Sequence, residues 1–225
     1  MRHIMLGLTL TAMPALCAAQ ATAQPARTPA QEAALARATD ARTLGWQVRA
    51  DNPKADASKL VFAEMKPGWH VTTGPVSAVL FHPGTTGTGN YTATLSVFFF
   101  PPKSTHQEGY GMLVGGKDLA GARQQYTYFI VRNDGKFMIK RRNGDSTSTV
   151  MPWTDTPALK LWKEGAPVLN VLSVTAGSST VQFKINDTVV ATKPRSEIGV
   201  DGVVGIRANH MLDLHVRDLT VVAAK

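Results

Sequence analysis

Glu108 follows His106 by two positions and precedes Tyr110 by two, while Asp145 sits directly after an Asn143-Gly144 turn signal. In an enzyme, one of these carboxylates with a histidine partner would be the acid–base group. Other catalytic signals are missing. Retaining glycoside hydrolysis needs two carboxyl groups about 5 Å apart, and no two acidic residues here are separated by a single position. Ser77, Ser96, Ser104 and the Ser178-Ser179 pair lie outside any Gly-x-Ser-x-Gly elbow. The glycines from Gly84 to Gly89 lack the lysine and the helix of a phosphate loop. His70, His82, His106, His210 and His215 show neither His-x-His nor His-x3-His spacing. A metal site would have to gather its ligands from separate strands, so none is expected.

Binding chemistry is better represented. Tyr126, Tyr128, Ile130 and Arg132 share one face of a strand, and Phe137, Ile139 and Arg141 share one face of its partner. Aromatic rings can stack on the C–H faces of a sugar, and a guanidinium can clasp an acidic group through two parallel hydrogen bonds. Tyr126, Tyr128, Arg132 and Arg141 are therefore the candidate ligand-binding residues of a sheet face. His70, beside Trp69, then His106 and Tyr110, and His210 after Asn209, are candidates for a rim. The competing reading makes the tyrosines half-buried strand residues with their hydroxyls in water.

Strands must position these groups. From Asn170 to Val222 short alternating segments are separated by regular turns, as in antiparallel sheets with one buried face. Leu172, Val174 and Ala176 alternate with Val171, Ser173 and Thr175. Val181, Phe183 and Ile185 share a face before the Asn186-Asp187 turn. Gln125–Arg132 and Lys136–Arg142 read as a hairpin about Asn133-Asp134-Gly135. Val76–His82 is apolar enough for burial on both faces, Pro83–Asn90 reads as a loop, and Thr154–Pro167 as a loose connection. Tyr91–Phe100 alternates and ends at Pro101-Pro102. The count is about twelve strands, with one short Ala-rich helix over Ala30–Thr39.

The ends bound the setting. Arg2 and His3 precede an apolar run, Ile4–Leu16, and Ala21-Thr22-Ala23 is a small-x-small cleavage site. The run falls short of the roughly 20 residues that span a bilayer, so residues 1–23 are expected to be a secretory signal. Residues 24–43 would be a flexible leader with a short helix, and 44–225 one folded domain, periplasmic or secreted. Cys17, the sole cysteine, would leave with the signal and take all thiol and disulfide chemistry with it. The net charge of +8 permits nucleic acid, an anionic glycan or a membrane surface as partner. No nucleic-acid motif is present, and the run Lys140-Arg141-Arg142 reads as the solvated edge of a sheet.

From Gly68 onward the chain resembles concanavalin A-like jelly rolls, the all-β sandwich of legume lectins, laminin G modules and family 16 glycoside hydrolases. The resemblance rests on the hairpin Val181-Gln182-Phe183-Lys184-Ile185-Asn186-Asp187, then Gly202-Val203-Val204-Gly205-Ile206, then Leu214-His215-Val216-Arg217-Asp218-Leu219. It departs at Asp187, where glycine is usual. Among bacterial proteins it is similar to exported domains of the DUF1080 type, named for a 3-keto-disaccharide hydrolase. The resemblance implies a jelly-roll β-sandwich of two antiparallel sheets whose face or rim takes up sugar. Calcium is common in such domains, and Asp145, Asp201 or Asp213 would serve an irregular site, although no regular calcium loop is present. The Glu-x-Asp-x-Glu strand of family 16 enzymes is absent. The expectation is an exported protein that binds a carbohydrate or envelope glycan without cleaving it. Alternatives are a DUF1080-like hydrolase or lyase, and a structural envelope protein that contacts another protein. The sugar and the oligomeric state are left open.

Overall fold

The computed structural model describes residues 29–100 and 106–224. Residues 1–23, the expected signal, and the Pro101-Pro102 stop lie outside them. A short helix α1 (Pro29–Arg37) leads into fourteen strands: β1 (Gln47–Ala50), β2 (Val61–Glu64), β3 (Trp69–Thr72), β4 (Ala78–Gly87), β5 (Tyr91–Phe99), β6 (Tyr110–Lys117), β7 (Gln125–Arg132), β8 (Lys136–Asn143), β9 (Ser146–Asp155), β10 (Val168–Ala176), β11 (Thr180–Ile185), β12 (Thr188–Pro194), β13 (Gly202–Ala208) and β14 (Asp213–Ala223). They form two seven-stranded sheets, ordered β1-β4-β13-β6-β7-β8-β9 and β12-β11-β10-β5-β14-β3-β2. All the pairings are antiparallel.

Alternation builds the core. Leu80, Met112, Phe129, Ile139 and Ile206 of the first sheet meet Leu95, Val97, Leu172, Phe183 and Leu214 of the second in one buried cluster. The two-residue turn Asn186-Asp187 joins β11 to β12 with φ of 48° and 69°. Two positive φ values match the twist that a hairpin imposes, and Asn and Asp tolerate them. The Asn186 side chain adds bonds, accepting from Val171 N–H and donating to Ala158 O and Asn170 Oδ1.

β4 carries apolar residues on both faces. Ala78 and Leu80 enter the core, while Val79 and Phe81 join a second cluster on the outer face of the first sheet. The expected loop at Pro83–Asn90 is instead mostly strand, since β4 continues to Gly87. Its pairing with β13 jumps from Phe81 to Thr86, so Pro83 lies in a bulge, where its missing N–H breaks no ladder bond. A second difference is β9, which occupies a stretch with no expected strand and forms the sheet edge. β8 is therefore an interior strand, and Lys140-Arg141-Arg142 is not at an edge.

Candidate functional site

Three of the expected binding residues, Tyr126, Tyr128 and Arg132, share the outer face of the first sheet, and the β7–β8 register decides what stands beside them. A three-residue turn at Asn133-Asp134-Gly135 sets Arg132 against Lys136, so Tyr128 faces Lys140 and Tyr126 faces Arg142. Arg141 pairs with Thr127, on the opposite face, and Phe137 and Ile139 are core residues. The expected stripe of Tyr126, Tyr128, Arg132 and Arg141 thus loses Arg141 and gains Lys140 and Arg142.

Tyr126 and Tyr128 pack with Val79, Phe81, Leu113, Ile130 and Met138, their own rings 5.8 Å apart. Burial pushes both phenols up, with Arg207 the main opposing influence. They stay protonated at neutral pH and can donate as well as accept.

Arg207, on β13, is the charged centre of this face. Its guanidinium grips Asp51, just past β1, through two bonds of 2.6 and 2.5 Å, and reaches Asn209 Oδ1 at 3.2 Å. It also lies 5.6 Å from the Tyr128 ring centre. Although burial opposes the charge, the Asp51 carboxylate holds its pKa above the ordinary arginine value. Its Nε is buried and has no hydrogen-bond partner among the described residues. Sequence reasoning passed over Arg207 because an arginine in a strand ordinarily faces water.

At one end of the face Trp153, half-buried on β9, carries the Arg132 guanidinium 4.2 Å over its ring. Asp134 holds Arg132 through two bonds of 2.9 and 2.6 Å, which fixes the stack. Gly109 allows the close approach: a Cβ there would stand 2.8 Å from Ile130 and 3.2 Å from Trp153. The neighbouring Glu108 carboxylate meets His210 at 3.1 Å. Trp153, Arg132, Asn209, Glu108 and His210 thus bring an aromatic surface and several fixed polar groups to one end of one sheet.

The other expected site residues go elsewhere. Tyr110 is a core residue, stacked 5.1 Å from Phe99, because its position in β6 has the inward phase. His70 belongs to β3 in the second sheet and faces away from the core. It sits 2.9 Å from the Asp213 carboxylate, with the His215 ring 6.4 Å off. His106 is exposed ahead of β6. Glu108 and Asp145 cannot share a substrate atom. Glu108 precedes the Tyr110–Val131 pair, whereas Asp145 lies beyond the Gln125–Asn143 pair, about 20 Å away at the usual rise of a strand. Among the described residues, no group of three His, Cys, Asp or Glu side chains is arranged to hold a metal ion. No described helix is long and apolar enough to cross a membrane.

No protein-family model matches this sequence, and no curated protein matches it. Its fold does match solved structures. The carbohydrate-binding module CBM66 from Bacillus subtilis aligns with a TM-score of 0.57 at 11% identity, over 83% of this chain and 98% of that one. A Bacillus subtilis protein of unknown function with a galectin-like fold aligns with a TM-score of 0.57 at 11% identity, over 82% and 91%. A Bacteroides ovatus family 16 glycoside hydrolase from a mixed-linkage glucan locus aligns with a TM-score of 0.53 at 8% identity, over 79% and 94%. At these identities the likeness is one of fold. The chain is a jelly-roll β-sandwich of two antiparallel sheets, a fold it shares with galectin-like neighbours.

Proposed function

We propose that the chain is an exported carbohydrate-binding protein that holds a glycan on the outer face of the first sheet and does not cleave it. The observation that carries this reading is the Trp153–Arg132 stack beside the Arg207–Asp51–Asn209 network. A half-exposed ring can take the C–H face of a sugar, while polar groups held by their own partners meet hydroxyls with little ordering cost. The CBM66 neighbour, which shares this fold, is a carbohydrate-binding module. Export is supported by the apolar run Ile4–Leu16 and the Ala21-Thr22-Ala23 site.

A glycan array on the purified protein, with released sugars followed in parallel, tests the reading. Binding without product, abolished by Trp153→Ala or Arg132→Ala, is the expected result. One observation favours a second reading, a hydrolase or lyase of the DUF1080-like type: the Glu108–His210 pair is a carboxylate next to a titratable partner at the site's end. Product release abolished by Glu108→Gln would establish it. Silence on every glycan would overturn both and favour a structural module that contacts another protein.

A further inference from the structure

At the opposite end of the sheet from Trp153, β6 leaves β7. Their pairing runs to Val114–Thr127 and resumes only at Lys117–Gln125. Gly115 and Gly116 bulge out of the ladder. Gly115 takes φ of 66° and presses against Gly199, so close that a Cβ would stand 2.1 Å from the Gly199 carbonyl oxygen. The gap is a cavity of about 230 Å³, reached by Lys117, Arg141 and Arg142, with Thr127 and Tyr126 in its wall.

Three features define its chemistry. First, the lining holds three cations and no carboxylate. The nearby Asp118 carboxylate is turned into its own loop, where it accepts from Arg123 N–H. Second, none of the three cations has an ion-pair partner among the described residues. Arg141 and Arg142 are instead oriented by backbone carbonyls, Arg141 by Glu197 O at 3.0 Å and Arg142 by Gly144 O at 2.6 Å. Third, Thr127 is 1% exposed and its hydroxyl oxygen has no hydrogen-bond partner among the described residues. Buried hydroxyls are rarely left unpaired, and Thr127 is part of the wall of a cavity lined by positive charge.

We propose that this cavity is an anion site, and that it takes a sulfate or phosphate ester carried by the glycan. The inference rests on the carbohydrate reading above. Arg142 approaches from the outer face of the sheet and Arg141 from the core side, since adjacent strand residues point to opposite faces. Lys117 comes from the bulged strand and Thr127 from the wall. Donors arriving from several directions match the three outward oxygens of a tetrahedral ester, whereas a planar carboxylate offers two. The excess of Lys and Arg over Asp and Glu adds a long-range attraction to anionic polymers.

The test titrates the full chain with matched oligosaccharides, one neutral, one sulfated and one phosphorylated, and separately with inorganic sulfate and phosphate. At least one esterified sugar is expected to bind tenfold or more tightly than the neutral sugar. Arg141→Gln and Arg142→Gln should each remove about tenfold or more of that preference, as loss of a hydrogen bond to a charged group does, and Arg141→Gln should leave neutral-sugar binding unchanged. Thr127→Val should weaken the ester about fivefold without lowering Tm, because it deletes an unpaired buried hydroxyl. That combination would not arise from a merely structural role. The sulfated and phosphorylated arms tell the two esters apart. Equal binding of all three sugars, insensitive to these variants, would overturn the anion site and leave the carbohydrate reading standing. Inorganic anions bound through Arg142 and Thr127 with no sugar bound would overturn the glycan as the ester's carrier. No binding of sugar or anion would overturn both.

Discussion

Removing Asp51 should harm this protein more than removing the arginine it holds. The Arg207 side chain is 8% exposed and that of Asp51 35% exposed. In Asp51→Ala the guanidinium stays buried with Asn209 Oδ1, at 3.2 Å, as its remaining acceptor. Breaking a fully buried pair by deleting one partner costs about 3–5 kcal/mol. Water can reach the Asp51 side, so the expected loss is about 2–3 kcal/mol. For a chain of this size that lowers Tm by about 4–12 °C. Arg207→Met leaves a carboxylate that water can solvate and should cost about 1–2 kcal/mol. The double variant Asp51→Ala/Arg207→Met replaces the pair by apolar surface beside Val79 and Tyr128 and should recover most of the loss. Thermal and urea unfolding of the four proteins gives the double-mutant cycle. Additive losses, or an Asp51→Ala protein as stable as the parent, would refute the description of Arg207 as a buried charge held by one carboxylate.

Three further outcomes follow from single contacts. Tyr91 donates its hydroxyl to Val200 O at 2.5 Å inside the protein, so Tyr91→Phe leaves that carbonyl unpaired and should cost about 1–2 kcal/mol in urea unfolding. Asn186→Gly keeps the positive φ of its turn but loses three side-chain hydrogen bonds; a loss of about 2–4 kcal/mol is expected, and Asn186→Ala should lose about 1 kcal/mol more from the left-handed backbone. Burial holds His215 below its ordinary value of 6.5, although the Pro67 carbonyl favours the cation. The unfolded state then binds the proton first, so stability is full above the ordinary value and falls as the pH drops through the folded one. His215→Gln should flatten that acid limb, and an unchanged limb would contradict the assignment.

The sandwich was legible because its hairpins are written locally. Asn186-Asp187 supplies two residues that tolerate positive φ, and Leu172, Val174 and Ala176 keep strict alternation. β9 was not legible, because Ser146–Thr149 is polar on both faces and Pro152 interrupts it, as an exposed edge strand permits. Trp153 went with it. The exchange of Arg141 for Arg142 had a signal that was passed over: counting back from a three-residue turn pairs 132 with 136, and hence 126 with 142. Arg207 and Asp51 gave no local signal. They stand 156 positions apart, and only the neighbouring of β1, β4 and β13 across the sheet brings them together.

The central claim is that a glycan occupies the outer face of the first sheet. Backbone amide shifts, recorded as the strongest-binding glycan is titrated in, test it most directly. The largest changes are expected at Arg132, Trp153, Arg207 and Asn209, with His70 and His215 on the second sheet unmoved. Shifts clustered at His70 and His215, with Trp153 and Arg207 silent, would place the ligand on the wrong sheet and contradict the account.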